Sequence, residues 1–237
     1  GPLGQGLSNA VGMAIAERRL AYEVNKPGHE LVDHWTYVIA SDGDFQEGIA
    51  SEASSLAGHL RLGKLVVLYD DNNVQLDGPT AMAWSEDVPL RFDAYGWHTQ
   101  RVADGNDLAA IESAITAARA DERPSLIAVR THIGFGSPNK HDSHQAHGSP
   151  LGTEEVRLTK EAYGWDPDKS FYVPEAARDH LRAAIPEGDA LVAASDARYD
   201  AYRAAYPQAA AALPPPGPRA ALPARRAPEP TEADTRP

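Results

Sequence analysis

The sequence predicts an α/β fold: a doubly wound, mostly parallel sheet with helices on both faces. Short apolar runs rich in β-formers alternate with segments whose apolar residues recur every third and fourth position. The run Leu65-Val66-Val67-Leu68-Tyr69 shows no polar alternation, as expected of a parallel strand covered on both faces. Two such runs lead directly into Asp/Asn-rich groups, which is where ligand-binding loops lie in open α/β sheets.

The elements follow in order. Residues 7–24 repeat apolar side chains (Leu7, Val11, Ala14, Ile15) at helical spacing, and Pro27-Gly28 ends that helix. Residues 35–40 form a first strand, residues 45–61 a helix stopped by Gly63, and residues 65–69 a second strand. Residues 96–102 and 125–130 form two further strands, separated by a helix over 107–120. Beyond Gly152 helices are expected over 153–163, 174–183 and 187–206, with a turn at Trp165-Asp166-Pro167-Asp168. From Leu213 the chain is mostly Pro, Ala and Arg, with almost nothing to bury, and is expected to be disordered. The expected organisation is a main domain over 1–185, a helical linker over 186–212 and a tail over 213–237.

Composition excludes several classes. The 237 residues carry 22 Lys+Arg against 34 Asp+Glu, a net charge of −12, which argues against nucleic-acid or anionic-membrane partners. The absence of cysteine removes disulfides, thiolate metal sites and cysteine nucleophiles. No apolar run approaches the ~20 residues of a membrane-spanning helix. The first residue is Gly1 rather than Met and opens a glycine-rich motif, so the chain reads as a piece of something longer.

The chemistry concentrates in Ser41-Asp42-Gly43-Asp44 and Asp70-Asp71-Asn72-Asn73. Both follow strands, so Asp42 and Asn72 are expected on one edge of the sheet. One carboxylate and one amide oxygen suit Mg²⁺, which fills its other positions with phosphate oxygens and water. Gly43 would let a diphosphate approach the backbone, with a helix amino end aimed at its charge. Asp and Asn after strands also serve simply as turn formers or caps. Gly1-Pro2-Leu3-Gly4-Gln5-Gly6 can hold backbone close to a ligand, or can be only a tight entry into a helix. After residue 130 comes a Gly/His loop in which His141, His144 and His147 recur at steps of three. They could ligate a transition metal, donate to a phosphate or substrate hydroxyl, or have no role.

Together these motifs resemble the transketolase family of thiamine-diphosphate enzymes, from Gly1 to about Pro207. The resemblance rests on Gly1-Pro2-Leu3-Gly4-Gln5-Gly6, Asp42-Gly43 with Glu47-Gly48, Tyr69-Asp70-Asp71-Asn72, Ala94-Tyr95-Gly96-Trp97, Ile133-Gly134-Phe135-Gly136-Ser137 and His147-Gly148-Ser149-Pro150-Leu151-Gly152. It implies the thiamine-diphosphate-binding fold, incomplete at its amino terminus, with residues 1–185 as the diphosphate- and metal-binding domain. It implies that Asp42, Asn72 and the Val74 carbonyl ligate Mg²⁺, or another divalent cation such as Ca²⁺ or Mn²⁺. Gly43 would contact the diphosphate, Gly1 and Leu3 would lie along the aminopyrimidine, and Leu76 and Ile133 would pack on the cofactor. His147 matches the catalytic histidine that reaches both the diphosphate and the reacting substrate. Glu47 and Glu52 match an acidic network linking two active sites across a dimer. Ser41 replaces the first glycine of the signature, which would be unfavourable wherever φ must be positive.

The implied activity is transfer of a two-carbon ketol unit from a ketose phosphate to an aldose phosphate, in the cytoplasmic pentose phosphate pathway. Sugar phosphates are the implied substrates and a homodimer the implied assembly. The family's pyrimidine-binding domain supplies the glutamate that activates the aminopyrimidine, so this chain alone is expected to be inactive. Related expectations are a dihydroxyacetone synthase, a split-enzyme subunit and an inactive relic. The Pro/Ala/Arg tail resembles nothing in the family and reads as a frame change or a fragmentary gene.

Overall fold

Four parallel strands form the sheet that organises the chain, in the spatial order β1 (Thr36–Ser41), β2 (Leu65–Asp71), β6 (Ser125–Arg130) and β5 (His98–Val102). The computed structural model describes residues 2–211 and 213. Gly1 and residues 214–237, on which a cofactor contact and most of the expected tail fall, lie outside the described residues. Helix α1 (Gln5–Val24) leads to β1 (Thr36–Ser41), α2 (Asp42–Gln46), α3 (Gly48–Leu60) and β2 (Leu65–Asp71). A small hairpin, β3 (Val74–Gln75) with β4 (Gly78–Pro79), precedes α4 (Val88–Ala94), β5 (His98–Val102), α5 (Leu108–Ala120) and β6 (Ser125–Arg130). Helices α6 (Thr153–Ala162), α7 (Glu175–Arg182), α8 (Ala184–Ala205) and α9 (Pro207–Ala211) follow.

Strand period two sorts the apolar residues into two cores. Leu65, Val67 and Tyr69 of β2 and Leu126 and Ala128 of β6 face one side, packed with Leu7, Val11 and Ala14 of α1, Ala57 of α3 and Phe92 of α4. Val66, Ile127 and Val129 face the other, against Ala114 and Ala118 of α5. The two-sided burial expected of the 65–69 run is therefore present, with helices on both faces. A third cluster forms where Tyr202 of α8 packs against Val24 and its hydroxyl donates to the Val24 carbonyl at 2.9 Å. Leu213, at the start of the segment expected to be disordered, packs on this cluster.

The structure corrects several boundaries. The helix expected over 45–61 is two helices, interrupted at Glu47, whose ψ of 136° is extended. The helix expected over 187–206 starts at Ala184, because Pro186 in a first turn forfeits no intrahelical hydrogen bond. The strand expected from Gly96 starts at His98, since Gly96 turns at φ +83° and Trp97 is buried beside Phe92. Helix α4 was not anticipated, although Asp87 caps it by accepting from the Leu90 N–H at 3.0 Å and Pro89 lies in its first turn.

Gly58 is where α3 meets the α4–β5 corner. A Cβ there would sit 2.0 Å from the Tyr95 carbonyl oxygen. Gly58→Ala is expected to destabilise by about 3 kcal/mol or more through overpacking against backbone. Gly12→Ala, where a Cβ meets nothing within 4 Å, should not destabilise. Urea denaturation of the two variants checks this; equal midpoints would refute it.

Candidate functional site

The carboxyl ends of β1, β2 and β6 lie side by side: Ser41 pairs with Asp70, and Asp71 with Arg130. Asp42 and Asn72 therefore leave the same sheet edge, as the sequence predicts. Ser41 has φ −119° and ψ 178°, extended backbone that any residue adopts, so serine in place of glycine carries no strain here. The Ser41 N–H and hydroxyl both donate to Asp44 Oδ2, at 3.0 and 3.2 Å, while Asp44 Oδ1 accepts from the Gly4 N–H at 2.8 Å. Asp44 thus ties the glycine-rich turn to the β1–α2 corner. Gly4 has φ +72°, and a Cβ on it would lie 3.1 Å from the Glu47 Cβ and 2.9 Å from the Ile49 Cγ2. Glycine is required at that position.

These segments enclose a cleft of about 360 Å³ lined by Leu3, Ser41, Gly43, Gln46, Glu47, Asn72, Val74, Leu76 and His147, among others. Most of the residues singled out in the sequence meet there. The Leu76 side chain lies against the Gly148 backbone, joining the β3–β4 hairpin to the loop that carries His147. Gln46 donates to Gln75 at 3.0 Å across the cleft.

Asp42, between the cleft residues Ser41 and Gly43 in sequence, is 1% exposed and lines a second cavity of about 280 Å³ with Tyr69, Asp71 and Asn73. Its Oδ1 accepts from the Tyr69 hydroxyl. Its Oδ2 is sealed from solvent and has no hydrogen-bond partner among the described residues. Burial pushes the Asp42 carboxyl above the usual carboxylate range; the Tyr69 hydroxyl and the nearby Asn73 N–H pull it down, and Asp71 and Asp70 push it up. Burial, then the Asp42 carboxylate, raises the Tyr69 phenol, which stays protonated as a donor. The nearly buried Asn72 accepts from the Val74 N–H through Oδ1 at 2.8 Å, which leaves one lone pair of that oxygen free. A carboxylate oxygen without a donor and an amide oxygen with a free lone pair, at the ends of adjacent strands, are donor types that suit a hard cation.

Other expected residues are placed elsewhere. Ile133 does not line the cleft; its carbonyl accepts from the Asp142 N–H at 2.9 Å. Glu52 is exposed on α3. His141, His144 and His147 do not converge: among the described residues, the three metal-capable side chains that come together are His132, His141 and Asp142. Steps of three align side chains only on a helix, and just His144–Ala146 forms one short 3₁₀ turn here. Two contributors escaped the sequence reading, Asp44 as a tie and Tyr69 as a donor. Asp44 lies three residues after Ser41, the spacing of a capping box; Tyr69 reads only as a core aromatic.

Comparison with known proteins bears on the family and the fold. The family model described as "Transketolase, thiamine diphosphate binding domain" matches residues 1–215. Curated transketolases from Halalkalibacterium halodurans and Geobacillus stearothermophilus are 51% and 52% identical over 210 and 215 residues, covering 89% and 90% of this chain. The chain spans about a third of their length, 32% in each case. Among solved structures, transketolase from Leishmania mexicana superposes with a TM-score of 0.86 at 41% identity, covering 89% of this chain and 32% of that one. A Pichia stipitis transketolase in complex with sedoheptulose-7-phosphate gives 0.86 at 40% identity, covering 89% and 31%. The chain belongs to the transketolase family, and its residues 1–215 correspond to that family's thiamine diphosphate binding domain.

Proposed function

We propose that this chain holds the diphosphate and metal end of thiamine diphosphate, and so serves transfer of a two-carbon ketol unit from a ketose phosphate to an aldose phosphate. The observation that carries the reading is the buried Asp42 carboxylate, whose Oδ2 lacks a partner beside a cleft lined by Asn72 and Gly43. An uncompensated buried carboxylate oxygen is costly, and a cation offsets that cost. Asp42, Asn72 and the Val74 carbonyl would hold Mg²⁺, with Ca²⁺ or Mn²⁺ as substitutes, and the ion would neutralise the diphosphate. When bound, thiamine diphosphate supplies a nucleophilic thiazolium carbon.

The chain's residues orient the cofactor and handle protons around that centre. Tyr69 keeps its proton and fixes the Asp42 carboxylate by donating to it. Gly43 lets the diphosphate approach the backbone, and Leu3 and Leu76 give the rings an apolar wall. His147, which lines the same cleft, would donate to the diphosphate or to a substrate hydroxyl. Glu47, in the same cleft, joins Glu52 in the acidic link across a homodimer. The pyrimidine-binding domain is needed for turnover, so the isolated chain transfers no ketol unit. The whole protein would act on sugar phosphates in the cytoplasm, within the pentose phosphate pathway.

Isothermal titration of thiamine diphosphate, with and without Mg²⁺, tests the reading. Binding is expected only with the ion, at one site per chain. Equal heats in EDTA and in Mg²⁺, or no binding in either, would refute it.

A further inference from the structure

We propose that His132, His141 and Asp142 form a second cation site, separate from the Asp42–Asn72 region and suited to a transition ion such as Zn²⁺. The inference is independent of the cofactor reading. Their ligand atoms all lie within 4.8 Å of one another. Both Asp142 oxygens are 2.9 Å from His132 Nδ1, and Oδ2 is 3.3 Å from His141 Nε2. A tetrahedron with zinc–ligand bonds of 2.0–2.1 Å has edges of roughly 3.3 Å, so two of the three edges are nearly in place. The third closes when one imidazole rotates out of the present stack, in which the centroids are 5.2 Å apart and the planes inclined by 19°, because the in-plane lone pairs of near-parallel rings do not converge on one ion. All three side chains reach solvent, leaving room for a water in the fourth position.

The backbone brings these residues together across ten positions of sequence. Beyond β6 the chain turns at Gly134 and Gly136, and the Asp142 N–H donates to the Ile133 carbonyl at 2.9 Å, which sets Asp142 beside His132. The far side of the loop is fastened by buried Glu155, which accepts from the Asn139 N–H at 2.8 Å, the Asn139 amide at 2.9 Å and the Ser137 hydroxyl. Asp142 itself holds φ +54°, a conformation that Asp tolerates better than most residues. The ligands are therefore presented by a tied loop.

Donor chemistry separates this site from the other. Asp42, Asn72 and a backbone carbonyl offer oxygen alone and suit a hard ion; two imidazoles and one carboxylate suit Zn²⁺, Ni²⁺ or Co²⁺. Mg²⁺ in excess should not displace the second ion. An ion bridging His132 to His141–Asp142 would pin the base of the loop that continues through His144–Ala146 to His147.

The test is a ZnCl₂ titration of tag-free full chain in excess Mg²⁺, by calorimetry, with CoCl₂ absorption as the coordination readout. One Zn²⁺ per chain is expected, unchanged in Asp42→Asn and in His144→Ala. Affinity should fall at least about tenfold in His132→Ala and in Asp142→Ala, as loss of a ligand demands. Circular dichroism establishes that these surface variants remain folded. The proposal is overturned by no uptake, by uptake unchanged in the His132→Ala/His141→Ala double variant, or by uptake that disappears in Asp42→Asn.

Discussion

Asp42→Asn is expected to abolish Mg²⁺-dependent thiamine diphosphate binding while leaving the apo fold no less stable. Asparagine keeps the shape and an oxygen for the Tyr69 hydroxyl, but it removes the charge that a divalent ion requires. Affinity should fall by more than about a hundredfold, since a carboxylate ligand matters more than the supporting contacts whose loss typically costs 10–100-fold. The apo effect has the opposite sign. In the wild type a carboxylate 1% exposed, with one oxygen unpartnered, opposes folding, and the substitution relieves it. Burial raises the folded carboxyl above its unfolded value. This group therefore favours folding at low pH, and that contribution is lost as pH rises through the raised folded value. The variant lacks that dependence. With cofactor at a hundred times Kd, the wild type should gain about 2.7 kcal/mol, roughly 5–10 °C in Tm for a chain of this size. The variant should show no such rise, and thermal melts with and without Mg²⁺ and cofactor measure both effects. A variant that melts well below the apo wild type, or that retains the ligand-induced rise, contradicts the assignment of Asp42.

The sheet and its ligand edge were legible because strand signals are local. Leu65–Tyr69 and residues 125–130 are short apolar runs, and the groups after them fall at strand ends by construction of the fold. Asn72, Leu76 and His147, which the family resemblance singled out, line one cleft, and Asp42 follows the neighbouring strand. What the sequence hid is contact between distant segments. The Asp44–Gly4 hydrogen bond spans 40 residues and the Tyr69–Asp42 bond 27, and neither partner's type is unusual for its local element. Ser41 shows the reverse case: a departure from the motif that looked unfavourable is neutral, because its backbone is extended. The His loop misled through periodicity. His141, His144 and His147 share a spacing but no helix, whereas His132 and His141, nine apart, are neighbours through a loop closure that depends on Asp142.

The isolated chain is expected to bind Mg²⁺–pyrophosphate and Mg²⁺–thiamine diphosphate with affinities within about tenfold of each other. Ligand sites that recognise organic rings bury about 70–90% of the ligand surface. Here the apolar walls are Leu3 and Leu76, 48% and 61% exposed, and the cleft offers the rings one covered side. A fully enclosed ring of this size gains about 1.5–3 kcal/mol from burial. Two enclosed rings would favour the cofactor over pyrophosphate by roughly a hundredfold or more, at 1.4 kcal/mol per tenfold. Most of that gain requires a second wall, which the proposed function assigns to the pyrimidine-binding domain. Competition calorimetry with the two ligands on the isolated chain reads the ratio directly, and Leu76→Ala should change it little. Adding a polypeptide that carries the pyrimidine-binding domain should then raise cofactor affinity while leaving that of pyrophosphate nearly constant. A preference for thiamine diphosphate above a hundredfold in the isolated chain would mean that the described cleft encloses the rings by itself, and that the division of labour between the two domains is wrong.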